Sequence, residues 1–210
     1  MEKILYILIL IILENDFYNN IETINPNSYD FIVNKNYKLK ENYIPNDLEK
    51  INLEYACEDK YLRKEAKIHF ENMAKQAKLE GYNIIAVSTY RSYDYQYKLY
   101  NNYVKEKGIH YADMASARAG HSEHQTGLAV DIADISLDYD NFESTKEFKW
   151  VKKNAHKYGF ILRYPKAKFH ITGFKYEPWH YRYVGINIAT YIYKNNLTLE
   201  EYKKITHKCN

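Results

Sequence analysis

The sequence predicts one α+β domain, with helices before and after a cluster of short strands. Three observations carry this. Leu62, Ala66, Phe70, Met73 and Ala77 recur at threes and fours through residues 61–80 and stop at Gly81, which is an amphipathic helix with its C-terminal glycine. Residues 83–89 and 127–135 are short apolar runs with β-branched or alternating character, which predicts strands. Helical patterns precede and follow the clustered short strands, which is the grouping of an α+β domain.

Taken in order, residues 4–13 are an unbroken apolar run behind Lys3, followed by polar Glu14-Asn15-Asp16. The run is about half the ~20 residues a membrane-spanning helix needs, and it reads as a secretory signal or anchor. No small-x-small cleavage site follows it, and a buried strand or helix is the alternative. Residues 14–30, rich in Asn, Asp and Tyr, read as linker. The expected organisation is therefore 1–30 as signal or anchor plus linker and 31–210 as the domain. Export would make the chain extracytoplasmic or envelope-associated and would allow membrane anchoring through residues 4–13, leaving a cytoplasmic location open. Residues 31–48 look extended and end in the turn Ile44-Pro45-Asn46-Asp47. Residues 94–106 predict a second helix that stops near Gly108. Ser144 with Glu147 forms a capping box that opens a helix through Tyr158, ended by Gly159. Residues 160–163, 169–172 and 178–183 are expected as short strands and 185–195 as a helix. Thr198 with Glu201 caps a final helix.

Composition narrows the function. Of 210 residues, 46% are apolar and 27% charged, enough for a packed core. Lys+Arg 30 against Asp+Glu 27 leaves +3, too balanced for the dense basic face of a nucleic-acid binder. Cys57 and Cys209, far apart and expected as free thiols, give neither a disulfide framework nor a cysteine zinc cage. Any metal must be held by histidine and carboxylate.

The segment His121-Ser122-Glu123-His124-Gln125-Thr126-Gly127-Leu128-Ala129-Val130-Asp131 is the most informative. A strand beginning near Gly127 puts Leu128, Val130 and Ile132 on a core face, and Gly127, Ala129 and Asp131 on the other. Two minimal side chains leave space before Asp131, where a metal and its substrate would fit and which His124 could fold over. Taken alone, His124 and Asp131 are better read as a loop histidine and a hydrogen-bonded strand carboxylate. Tyr176-Glu177-Pro178-Trp179-His180-Tyr181 offers the complement. Two imidazoles and one carboxylate with an open fourth position make a catalytic zinc site. His180 would complete His124 and Asp131, and Glu177 would be the base that takes a proton from water. Trp179 is a flat wall beside the metal or a core aromatic. Arg91, where a buried strand meets a helix, could hold a carboxylate or a developing oxyanion, or be a solvated surface arginine.

Ser122-x-His124-x-x-Gly127-x-Ala129-x-Asp131, followed by Glu177-Pro178-Trp179-His180, resembles the VanY-type D-alanyl-D-alanine carboxypeptidases, zinc peptidases grouped with lysostaphin and the sonic hedgehog amino-terminal domain. Tyr90-Arg91-Ser92-Tyr93 with Gln96, the run from Asn154 to Phe160, and Arg163-Tyr164-Pro165 extend the likeness from about Tyr37 to Tyr202. The resemblance implies a small, mostly antiparallel sheet with helices packed around it. It implies one zinc ion on His124, Asp131 and His180, with Glu177 as catalytic base. Arg91 would contact the substrate carbonyl or carboxylate, and Ser122 and Gln96 would line the site. Thr89 and Ala119 depart from the residues usual in relatives, at positions that affect substrate fit more than metal binding. The implied reaction is hydrolysis of the terminal D-Ala-D-Ala bond of peptidoglycan stem peptides. An L,D-carboxypeptidase or endopeptidase on the same scaffold, a dipeptidase for free D-Ala-D-Ala, and a non-catalytic zinc-containing wall-binding module are the alternatives. His121, beside His124, is expected as a supporting group; His69, His110, His156, His170 and His207 read as structural or surface.

Overall fold

A computed structural model describes residues 18–23 and 28–207. The apolar run 4–13 and Cys209 lie outside the described residues. Among those described, the centre is a four-stranded antiparallel sheet in the order β5 (Ile85–Ser88), β6 (Ala129–Ala133), β8 (His180–Tyr183), β7 (Phe160–Leu162). Its core face carries Val130, Ile132, Tyr181 and Tyr183, alternate residues as a pleat requires. Helix α1 (Lys64–Leu79) lays Ala66, Phe70, Met73 and Ala77 on that face, and Phe70 meets the Phe160 ring edge-on at 6.2 Å. Burying a side chain such as Phe70 stabilises by roughly 1.5–3 kcal/mol. The other face carries Asp131, His180 and Arg182.

The expected helix from Tyr61 starts three residues later. Tyr61–Arg63 (β4) pairs antiparallel with Leu48–Lys50 (β3), and strand pairing overrides the helical spacing there. The expected extended stretch 31–48 holds the short strand Tyr37–Lys38 (β2), parallel to Ile21–Glu22 (β1), and ends on the first residue of β3. The described part of the expected linker is attached to the domain. Tyr18 is buried, its ring 4.8 Å from His121 and 4.3 Å from the Arg118 guanidinium, and Asn19 N donates to Lys35 O at 2.8 Å.

Helix α2 (Tyr93–Lys107) is capped by Ser92 and ends at Gly108, and a further helix, α3 (Ile109–Ala115), follows it unannounced by the sequence pattern. Helix α4 (Lys146–Asn154) is capped by Thr145, not Ser144; Thr145 Oγ1 accepts from Phe148 N, while Ser144 Oγ donates to Asn141 O. The chain then tightens into a 3₁₀ turn, Ala155–Tyr158, and ends at Gly159. Residues 169–172, expected as a strand, are a one-turn helix α5 (Phe169–Thr172), closed by Gly173 N donating to Phe169 O at 2.8 Å. A four-residue apolar run has too little length to declare its period. Helices α6 (Ile186–Asn195) and α7 (Leu199–His207) complete the chain. The capping box before α7 is reciprocal: Thr198 N donates to Glu201 Oε2 and Glu201 N to Thr198 Oγ1.

Candidate active site

The motif around His124 folds as a tight hook. Ser122 caps a 3₁₀ turn, Glu123–Thr126, by accepting from His124 N, and Gly127 in the left-handed region (φ 67°) releases the chain into β6. A Cβ on Gly127 would stand 2.8 Å from Leu48 Cδ2, so glycine serves a turn and a close approach. This corrects the expected open face: Gly127 precedes the strand. Ala129 is fully buried opposite Arg182, and Asp131 still opens on a cleft.

Asp131 and His180 stand directly opposite each other on β6 and β8. His180 Nδ1 lies 3.0 Å from Asp131 Oδ1, and His124 Nε2 lies 3.3 Å from Asp131 Oδ2. One donor atom from each of the three residues falls within 4.8 Å of the others, and all three residues are buried. His124 Nδ1 is held by the Thr89 carbonyl at 2.7 Å, which leaves Nε2 facing the group. Burial, helped by Arg91, lowers the His124 pKa to about 4, so its imidazole is neutral. Burial opposes charge on Asp131, yet the neighbouring His124 and His180 hold its carboxyl well below the usual range. Burial also opposes charge on His180, but hydrogen bonds to Asp131 and Glu123 outweigh it and raise the imidazole to about 9. These are the donor types that hold zinc in open catalytic sites. The imidazole nitrogen facing a carboxylate oxygen needs a shared cation, either a proton or a metal. The residues present therefore fit a zinc ion.

Around this group lies a cleft of about 460 Å³, lined by Arg91, Ser122, His124, Asp131, Tyr139, Glu177, Trp179 and His180 among others. Glu177 Oε2 is 3.9 Å from His180 Nδ1, and burial lifts its carboxyl to about 7. A base with that affinity can both take and return a proton near neutral pH. Arg91 Nη2 donates to Asp131 Oδ2 at 3.0 Å, with Nε on Ser88 Oγ and Nη1 on Gln96 Oε1. Gln96 is buried behind Arg91, its amide donating to Ser116 Oγ and the Ala117 carbonyl. Trp179 meets Tyr139 edge-on at 5.3 Å. His121 turns away: its Nδ1 pairs with the Asn34 carbonyl and its ring with Tyr18, so it does not support the donors by hydrogen bond.

Sequence reasoning passed over Glu123, Arg163, Arg182 and the Thr89 carbonyl. Glu123 is buried with two guanidinium groups on Oε1, and its Oε2 is 3.3 Å from His180 Nε2. A signal existed: an acid directly before a ligand-type histidine, and arginines inside the otherwise apolar runs 160–164 and 181–184.

Two imidazoles, a carboxylate, a carboxylate base and an arginine converging in a cleft define a site suited to metal-assisted hydrolysis. The chain belongs to the VanY D-alanyl-D-alanine carboxypeptidase family, whose model matches residues 59–186. It is 48% identical over 204 residues to "Putative carboxypeptidase YodJ" of Bacillus subtilis, covering 90% of this chain and 75% of that one. Its fold is similar to that of the LD-carboxypeptidase LdcB, with TM-score 0.82 and 46% identity over 90% of this chain and 95% of that one. It is also similar to the vancomycin-resistance D,D-pentapeptidase VanY in complex with Zn(II), with TM-score 0.71 and 33% identity over 83% and 98%.

Proposed function

We propose that this chain is a zinc-dependent carboxypeptidase that releases the terminal D-alanine from peptidoglycan stem peptides. The observation that carries this reading is the buried set His124, Asp131 and His180, with Glu177 raised to about 7 beside it. His124 through Nε2, His180 through Nδ1 and the Asp131 carboxylate would hold the ion. Zinc in such a site acidifies water and polarises a carbonyl. Glu177 takes the proton of the attacking water and returns it to the leaving amine. Arg91, braced by Ser88 and Gln96, faces the charge that develops on the carbonyl oxygen. Ser122 and Trp179 line the cleft where the terminal residue sits; Gln96 acts on it through Arg91. A wall-binding module without turnover would have no use for a buried base at Glu177.

Two bonds suit this chemistry. The motif set and the family description point to the D-Ala-D-Ala bond of the pentapeptide. The higher likeness to LdcB than to VanY favours the L,D bond of the tetrapeptide as a second reading. Such substrates lie outside the cytoplasmic membrane, which suits residues 4–13 as signal or anchor. No helix among the described residues is long and apolar enough to cross a membrane.

The experiment is mass spectrometry of muropeptides after incubation with the zinc-loaded full chain, beside a chelated sample and Glu177→Ala. Loss of one alanine from the pentapeptide, absent from both controls, supports D,D-cleavage. Trimming of the tetrapeptide supports L,D-cleavage, and an internal cut would replace carboxypeptidase by endopeptidase. Metal bound with every peptide returned intact would overturn the reading.

A further inference from the structure

Behind the donors runs a chain of buried charges that the reaction itself does not use. Glu123 Oε1 accepts from Arg163 Nε and from Arg182 Nη1, both at 2.8 Å, and all three side chains are closed off from solvent. Each arginine is pinned in turn. Arg182 Nη2 donates to the carbonyls of Tyr29 and Phe31, and Arg163 forks onto Glu200 of α7 at 2.9 and 2.6 Å. With Oε1 engaged twice and the arginines fixed, Oε2 keeps one direction, and it faces His180 Nε2 at 3.3 Å.

Both His180 nitrogens face carboxylates, which only accept, so without a metal each carries a proton; a metal would displace the proton between Nδ1 and Asp131 and leave the other on Nε2, where Glu123 accepts it. Nδ1 is the atom on the side of Asp131 and Glu177. His124 is set the opposite way, with Nδ1 on the Thr89 carbonyl and Nε2 toward Asp131. The two histidines thus present different nitrogens to one point, and each needs its own partner to do so. A cluster kept for stability alone could be replaced by apolar groups at little cost. Apolar groups could not accept from Nε2.

We propose that Glu123, clamped by Arg163 and Arg182, is a positioning residue that selects the His180 tautomer presenting Nδ1 to the metal and thereby sets the metal affinity of the site. This rests on the zinc reading above. In Glu123→Gln the amide oxygen stays with the two arginines that require an acceptor, so the NH₂ group faces Nε2 and favours the wrong tautomer.

The test measures imidazole nitrogen chemical shifts in the zinc-loaded full chain, and zinc affinity by competition with a chelator. The expected result is zinc on Nδ1 of His180 and on Nε2 of His124, with E123Q binding zinc about 10–100-fold more weakly. Glu200→Gln, which loosens Arg163 but leaves Arg182 on Glu123 and the Glu123 carboxylate on His180, should lower the melting temperature and weaken zinc binding by less than E123Q does. Zinc on Nε2 of His180, or a folded E123Q that binds zinc as tightly as wild type, would overturn the proposal. If E123Q does not fold, the tautomers of the wild-type protein decide alone. A wild-type chain that binds no zinc overturns the zinc reading itself, a different failure from zinc bound through the other nitrogen.

Discussion

Exchanging Glu177 for glutamine should stabilise the metal-free fold at alkaline pH while removing most of the activity. The side chain is buried at the edge of the cleft, and that burial, offset only in part by His180 and joined by the negative charge of Asp131, lifts it from an ordinary 4.5 to about 7. In the unfolded chain it titrates at its ordinary value. Between the two, the folded state binds a proton that the unfolded state has lost, so wild-type stability declines as pH rises through 4.5 and levels off above 7. At ~1.4 kcal/mol per unit the decline amounts to ~3 kcal/mol. Glutamine keeps the size and cannot ionise. In chelator at about pH 8, E177Q should therefore melt above wild type, by roughly 6–12 °C for a chain of this size. The gap should close as pH falls toward 4.5. With zinc restored, turnover should fall about 10²–10⁴-fold for loss of the base. The assays are thermal unfolding monitored across pH and alanine release from muropeptides. Equal melting of the two proteins at pH 8, or a gap that does not change with pH, would refute the account of a charge forced into a buried site.

Further outcomes follow from other parts of the structure. Arg91→Lys keeps the charge but cannot hold Ser88, Gln96 and Asp131 together, so kcat should drop about 10²–10³-fold in alanine-release kinetics with little change in melting. Gly127→Ala should cost about 1–3 kcal/mol in denaturant unfolding, because the residue holds φ 67° and the added methyl meets Leu48. Tyr18→Ala should cost roughly 1.5–3 kcal/mol in the same measurement, since the ring is buried between His121 and Arg118. A fragment beginning at residue 31 should show a loss of at least that size.

The proposed metal donors and the proposed base stood out in the sequence because their chemistry is local to two short motifs, His124 to Asp131 and Glu177 to His180. The α1 core stripe was equally plain, since helical periodicity over sixteen residues is hard to mimic. What stayed hidden depends on partners distant in sequence. Tyr61–Arg63 reads as helix until Leu48–Lys50 pairs with it. Residues 14–30 read as linker because Tyr18 reveals its burial only against Arg118 and His121, a hundred residues away. Glu123 was legible as an acid beside a histidine. Its meaning required Arg163 and Arg182, which the sequence separates from it by 40 and 59 positions. The cap of α4 moved by one residue, the scale on which local signals compete.

The pairing of Asp131 with His180 also bears on how such a site can vary between proteins. The two stand 49 positions apart in sequence yet face each other across one ladder. A slip of a single residue would bring Trp179 or Tyr181 opposite Asp131 and turn the imidazole to the other face of the sheet. Within the connection, the loop around Tyr139 can vary in length and remodel the cleft wall, while β7 and the ladder itself admit no insertion. Distance along the chain is a poor guide to this candidate metal site; strand register is the quantity that a designer, or a diverging lineage, has to preserve.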